Sequence, residues 1–502
     1  MRAVGTTLLA ALLGSACALP GAAAEMFDIG RSGTGQLIEG AAAATARADA
    51  PTVLLIGGLD GADATVVAVR EALAAFERPR AARRIRVLAV PLANPDGALL
   101  EFPPSGAAYR ERSESHALWR WIGTQAPDLV LIAGSDRFGL GAALAANAPA
   151  GVGLVPSRGW SGESLDALRA GDIETSAAHR EIERRLARSP LQLATELAEL
   201  YGHDFAQPTY INAIAMIVRL KLGQEEAVQQ LVEPYVSGAK DSLERPNSLT
   251  MAGHIVFTEL ARATGDERYV AMVRKVADLG FDERGAMRES LPFHNEFSDS
   301  MFMGATITAQ AGALTGETRY FDLAARHLRF MQALDLRADG LYRHQPATDA
   351  AWGRGNGFAA FGLALTLSEL PREHPAYAEV LRRYRAHMAA LLPWQNRDGL
   401  WRNVVDHPGA YAEFSATAMI GLAMRRGLYH GWLDDAAAYS RAVEAAWRAV
   451  NARTGSDGTV IDVCESTARI ESLQGYLQRE AILGPDARGG AMAMWFAAEL
   501  ID

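Results

Sequence analysis

Two stretches set ionisable and aromatic side chains directly ahead of long apolar runs. The first is Asp299-Ser300-Met301-Phe302-Met303, continuing through Gly304 to Gln310. The second is Gly340-Leu341-Tyr342-Arg343-His344, followed by Trp352-Gly353-Arg354-Gly355-Asn356-Gly357-Phe358. An Asp before an apolar helix is a common N-cap. It is also a carboxylic acid that burial can turn into a proton donor. Both roles fit Asp299. Alternating glycines free the backbone for tight turns or close approach to a ligand, and Trp and Arg are binding residues.

The elements that must position these residues are helices. Apolar, small-residue helices are predicted near 209–221, 249–264, 299–315, 357–370, 414–427 and 489–501. Amphipathic ones are predicted near 179–201, 224–238, 267–280, 318–334, 376–392 and 435–451. Thr264-Gly265-Asp266-Glu267-Arg268-Tyr269 recurs as Thr315-Gly316-Glu317-Thr318-Arg319-Tyr320, with weaker echoes at Tyr377 and Tyr439. A helical hairpin repeated every 50–60 residues or so is a repeat architecture. Helices apolar on most sides belong inside, so the fold class is mainly α, an (α/α)6 barrel. The inner helices then share one mouth. The loops before them hold Asn247; His294, Glu296 and Asp299; His344 to Asn356; Asp406, His407 and Glu413; and Asp486 to Gly490.

The chain between Asp299 and Met419 resembles glycoside hydrolase family 105, the unsaturated uronyl and rhamnogalacturonyl hydrolases, which is related to family 88. The resemblance rests on the two stretches above, on Asp398-Gly399-Leu400-Trp401, and on Glu413-Phe414-Ser415-Ala416-Thr417-Ala418-Met419, in the family's order. It implies the same (α/α)6 barrel over 179–502. The implied substrate is an oligosaccharide from a polysaccharide lyase, ending in a 4,5-unsaturated uronate. The implied reaction is hydration of the C4=C5 bond, with Asp299 as the acid. His344 and Arg354 match motif positions for binding the uronate carboxylate or steering water. A backbone-bonded His and a salt-bridged Arg are the structural alternatives. Trp352 fits a sugar-stacking or a core role. Asn356, Phe358, His294, Glu296, Trp401 and Glu413 are further mouth-lining candidates, and Glu413 equally fits a helix cap. Two departures stand out. Arg245-Pro246-Asn247 lies where the family has a second Asp, so either Glu296 substitutes or the activity differs. Phe358 replaces a Trp.

Residues 25–160 alternate strand-like and helix-like runs. Strands are predicted at Thr52 to Ile56, Ile85 to Val90, Leu129 to Ala133 and Gly151 to Val155, and helices at Ala64 to Phe76 and His116 to Ile122. This predicts a small parallel or mixed α/β domain. Its loops resemble a zinc carboxypeptidase fold at Gly58 to Asp63 and Pro91-Leu92-Ala93-Asn94-Pro95-Asp96-Gly97. The ligand pattern is missing, because Asp60 and Asp63 stand where His and Glu are expected and no His lies near Ser135. Two Asp make a poor zinc site, so the unit reads as a degenerate relic and no metal or cofactor is expected. An alternative site built from Asp60, Asp63 and His116 is opposed by Asx turns and a helix His. Residues 161–178, rich in Gly, Ser and Ala, are predicted to be a linker.

With 502 residues and 49% hydrophobic content the chain can bury a large core. A net charge of −10 without a long basic run argues against nucleic acid or an anionic membrane as partner. Residues 1–24 read as a signal peptide, with Arg2, an apolar run at 8–13 and small residues at Ala22-Ala23-Ala24, predicting a secreted or periplasmic protein. Cys17 raises a lipoprotein alternative, opposed by Gly14. After cleavage only Cys464 remains, so no intramolecular disulfide is expected. A zinc carboxypeptidase-like enzyme and a non-catalytic acidic-glycan-binding barrel are the competing readings.

Overall fold

A computed structural model describes residues 24–43, 50–77, 84–293 and 296–501. Nearly all of the predicted signal peptide, residues 1–24, with Arg2 and Cys17, and His294 lie outside the described residues.

The first part of the chain forms β1 (Glu25–Arg31), β2 (Leu37–Ala42), β3 (Thr52–Ile56), α1 (Ala64–Phe76), β4 (Arg86–Val90), α2 (Ser113–Gln125), β5 (Leu129–Ala133), α3 (Leu140–Ala146) and β6 (Ser157–Trp160). The strands make one mixed sheet of order β1-β2-β4-β3-β5-β6, with β3 to β6 parallel and β1 and β2 antiparallel. Strand alternation gives the sheet two apolar faces. Leu54 and Ile56 pack with Leu118 and Ile122 of α2. Val53 and Leu55 pack with Val69 and Leu73 of α1.

Two expectations are corrected. The predicted strand at Gly151 to Val155 is a short turn and irregular chain, and the strand follows it as β6. The predicted linker is packed rather than free: Leu165 is buried on the α1 face, and Ser176 N donates to Asp128 Oδ1 at 3.0 Å.

The helical part follows as α4 (Ala177–Leu186), α5 (Pro190–Ala198), α6 (Tyr210–Lys221), α7 (Glu225–Val236), α8 (Ser248–Gly253), α9 (Ile255–Thr264), α10 (Glu267–Ala277), α11 (Ser300–Met303), α12 (Ala305–Thr315), α13 (Thr318–Asp335), α14 (Gly353–Glu369) and α15 (Tyr377–Leu391). A two-stranded ribbon of β7 (Trp401–Arg402) and β8 (Ala412–Glu413) leads into α16 (Phe414–Tyr429) and α17 (Ala436–Ala452). Then come β9 (Thr459–Cys464), α18 (Leu473–Leu477), β10 (Ala481–Pro485) and α19 (Ala487–Ile501). The inner ring closes in order, α6 on α9, α9 on α12, α12 on α14, α14 on α16, α16 on α19 and α19 back on α6. This is the (α/α)6 barrel. The repeated Thr-Gly-Asp/Glu turns end inner helices at the closed face. Gly265 and Gly316 sit at φ 69° and 72°, a left-handed cap that glycine takes without strain.

The two parts share a buried boundary. Ile461 of β9 belongs to the α2-side core of the sheet. Arg120 and Arg453 both reach Asp462, at 2.6 and 3.0 Å. Tyr109 donates to the same carboxylate at 3.1 Å and stacks on Tyr411 with ring centroids 4.5 Å apart. Arg402 forks onto Asp28. Within the sheet unit, Asp63 caps α1, Asp60 pairs with Arg137, and His116 contacts Ser105 O. Each has its own local partner and the three do not converge. Asn94 and Asp96 also serve locally, tying the Leu59 and Ala98 carbonyls and the Ser32 to Gln36 turn.

Candidate active site

Asp299 starts α11 with its backbone, which accepts from Phe302 and Met303, but makes no side-chain cap bond. Its carboxylate is therefore not used as an N-cap. α11 breaks off at Gly304, where a Cβ would strike Leu291 and His327, and resumes as α12. His327 bonds Ser300 and receives Leu291 N, and burial pushes its pKa down to about 4. It is a neutral strut under the acid.

The returning loop docks beside Asp299 through Ser298 N donating to His344 O at 3.0 Å. His344 Nε2 then lies 3.2 Å from Asp299 Oδ2, and His344 Nδ1 lies 2.6 Å from the Tyr476 hydroxyl. The Asp299–His344 approach lacks the alignment of a full hydrogen bond, and Oδ2 has no hydrogen-bond partner among the described residues. Phe297 and Trp352 hold the imidazole from two sides, at centroid distances of 4.8 and 4.5 Å. With its proton on Nε2, facing the carboxylate, the ring accepts from Tyr476 at Nδ1. Burial, chiefly, raises the Tyr476 phenol, with the charges of Asp299 and Asp335 adding, so it stays a donor.

Tyr476 arrives on a strap, residues 465–480, strung between β9 and β10 across the mouth. Asn403 Nδ2 donates to Tyr476 O and Gln345 Nε2 to Ile470 O, fixing the strap at two points. Tyr476→Phe should keep the fold and lower turnover by about tenfold, the worth of one buried hydrogen bond that aligns His344. Unchanged turnover in a steady-state assay would show that the ring needs no such anchor.

Arg354 lies in the first turn of α14, buried, over the Trp352 ring at 4.8 Å. Its Nη1 donates to Cys464 O at 2.6 Å and lies 3.9 Å from Glu413 Oε1. Burial opposes its charge, but Cys464, Glu413, Tyr210 and Asp299 outweigh that and hold the guanidinium proton more firmly than usual. Glu413 is fully buried and caps α16, accepting from Ser415 N, Ala416 N and Cys464 N.

Several predicted mouth residues are corrected. Trp401 is buried and donates to Leu391 O, bracing the barrel wall. Phe358 packs between Tyr210 and Phe302 in the core. The Asn356 amide is spent on Tyr342 N, Tyr342 O and Trp352 O. Trp352 is wedged between His344 and Arg354 and offers no open face. Glu296 is exposed on the loop before Asp299. Asn247 caps α8 with Thr250 and lines a separate cleft of about 790 Å³. Asp299, His344, Arg354 and Glu413 do come together. Tyr476 and Asp335 were missed. Asp335 is buried at the end of α13, close enough for the Asp299 charge to act on it.

The family model described as Glycosyl Hydrolase Family 88 matches residues 207–502. The unsaturated rhamnogalacturonyl hydrolase YesR of Bacillus subtilis (strain 168) is 24% identical over 251 residues, 46% of this chain and 70% of that protein. An unsaturated 3S-rhamnoglycuronyl hydrolase of Alteromonas sp. (strain LOR) is 29% identical over 178 residues, 33% of this chain and 42% of that protein. Among solved structures, a possible member of the GH105 family from Klebsiella pneumoniae subsp. pneumoniae MGH 78578 superposes with a TM-score of 0.54 at 20% identity. It covers 62% of this chain and 92% of its own.

Proposed function

The chain belongs to glycosyl hydrolase family 88, and from that premise we propose that it removes a terminal 4,5-unsaturated uronate from lyase-generated oligosaccharides. The observation that carries the reading is Asp299: a carboxyl at the barrel mouth that caps nothing, has one free buried oxygen and faces an oriented His344. Protonation at C4 by such an acid leaves oxocarbenium character at C5. Water, deprotonated by the same carboxylate, adds at C5, and the hemiketal collapses with release of the sugar. His344 faces the carboxylate, and Tyr476 holds His344. Arg354, with the N-terminal end of α14, supplies positive potential to the mouth for the uronate carboxylate. The named activities of the two relatives support a substrate of this class.

The test is a panel of lyase digests from several acidic polysaccharides, followed by loss of the ultraviolet absorbance of the conjugated ene-carboxylate. At least one digest is expected to be consumed. A full panel left untouched while oligouronates bind would make the protein a glycan-binding barrel instead. The carboxypeptidase-like reading has no support in the separate local roles of Asp60, Asp63 and His116.

A further inference from the structure

Arg245-Pro246-Asn247 departs from the family pattern, and the structure sets this loop against open space. Arg245 and Asn247 line the cleft of about 790 Å³, a volume within the range of small-molecule sites. The cleft lies on the mouth face. One wall is residues 206–208, which lead into α6, and the other is residues 239–247, which lead into α8. α8 packs against α11, and Asp299 immediately precedes α11. The cleft is therefore one helix aside from the acid. A helix with its side chains is about 10–12 Å across, a span that a few linked sugars cover.

The walls are held from behind. Tyr235 donates to Ala206 O at 2.7 Å, and Asn247 and Thr250 cap each other at the start of α8. Ser242 is buried, with Oγ 2.9 Å from His254 Nε2. His254 Nδ1 donates to Thr250 O at 2.7 Å, and burial pushes the imidazole pKa down to about 4, so the neutral ring accepts from Ser242. Gly253 lets α8 lie directly on Pro208, where a Cβ would strike the Pro208 carbonyl.

The side chains left over face the cleft. Lys240, Glu244 and Arg245 are exposed in its lining, and among the described residues none of them has an ion-pair partner. Lys240 Nζ lies 6.0 Å from the centre of the Tyr235 ring. Asp241 is already held by Lys275 of α10 at 2.6 Å. Three cations thus stand against two carboxylates around the cleft. A guanidinium fork bonds the oxygens of an acidic group more strongly than it bonds neutral hydroxyls.

We propose that this cleft holds the sugars that leave, and that Arg245 and Lys240 select a leaving chain that carries an acidic group, a carboxylate or a sulfate ester. This inference rests on the hydrolase reading above. An oligosaccharide cut by a lyase from a uronate-bearing polymer keeps further uronates along its length, so the substrate class itself brings such a group. Glu244 opposes it and limits how tightly the leaving chain is held.

The deciding experiment measures binding to the full chain by calorimetry with three saturated tetrasaccharides: tetragalacturonate, a sulfated galactotetraose and neutral galactotetraose. The acidic probes should bind more tightly than the neutral one, and the better of the two names the acidic group. Arg245→Ala should weaken that binding by about tenfold, the worth of one hydrogen bond to a charged group, and Glu244→Gln should tighten it. Arg245 is exposed and unpaired, so its variants should melt with the wild type. The bound acidic probe should also protect Lys240 from acetylation, read by mass spectrometry. On unsaturated uronides, the Arg245→Ala loss should fall on KM and be larger for a tetrasaccharide than for a disaccharide. Equal binding of the neutral and acidic probes, no binding of any of them, or an acidic affinity indifferent to Arg245→Ala overturns the proposal. If no unsaturated uronide is turned over, the hydrolase reading fails while the binding arm still decides whether the cleft takes an acidic chain.

Discussion

Asp299→Asn should leave a folded protein that binds an unsaturated uronide and does not turn it over. The side chain makes no cap bond and Asn is close to it in size, so the melting temperature should hardly change. The amide still meets His344 Nε2 but has no acidic proton to give. Loss of one general acid costs about 10²–10⁴-fold, and more where the same group also activates water. In D2O the wild type should place deuterium at C4 of the released product, because that proton comes from an exchangeable carboxyl. A saturated uronide of the same shape should be inert. Product without deuterium, or saturated uronides cleaved at a comparable rate, would point to a conventional pair of carboxylates flanking the glycosidic bond. Glu413 is unfit for that pair, being spent as a cap, and Glu296 would be the remaining candidate.

The second large effect is expected from cutting the chain at the start of α4. The repeat alone predicts that the helical part folds by itself, because its ring closes with its own helices. The boundary described above predicts otherwise. Without residues 24–160, Ile461 and Tyr411 lose their cover and Asp462 loses Arg120 and Tyr109. Asp462 lies two residues before Cys464, whose carbonyl anchors Arg354 and whose N–H feeds Glu413. The sheet unit thus supports one wall of the site. Residues 177–502 expressed alone should be insoluble, or should melt well below the full chain without turnover. A point variant asks the same question inside the intact chain: Arg120→Met leaves a buried carboxylate short of one cation, a change of about 3–5 kcal/mol in such settings. A soluble, fully active 177–502 fragment would restore the independent-barrel picture and make the sheet unit dispensable.

The twelve-helix layout was legible because inner helices such as α12 and α14 are small and apolar on nearly every side, while α13 and α17 keep a polar face. The strands were legible where they are central. β3 and β5 are continuous apolar runs with neighbours on both sides. β6, Ser-Arg-Gly-Trp, is an edge strand with one partner, so its polar sequence carries no alternation, and the more apolar Gly151 to Val155 drew the prediction instead. β1, the opposite edge, was missed for the same reason, and β2, Leu-Ile-Glu-Gly-Ala-Ala, was missed because a charge and a glycine break its apolar run although it pairs on both sides. At the site, Asp299, His344 and Arg354 were legible as types set between glycines and helix starts. Trp401, Phe358 and Asn356 share those neighbourhoods but face inward, and residue type does not tell a wall from a lining. Tyr476 meets His344 across 132 positions. No local pattern announces such a contact. Asp335 did leave a trace, an acid in the last turn of a helix where a base would be favoured.

The strap across the mouth decides what shape of sugar chain can be served. Asp299 is 14% exposed, His344 3%, beneath a segment tied down through Tyr476 and Ile470. A group so covered can be reached by the tip of a chain but not by its middle, which would need room for two arms to leave. Throughput is then governed by how many tips are present rather than by how much polymer is dissolved. A preparation cut into many short pieces should be consumed faster, gram for gram, than one cut into a few long ones.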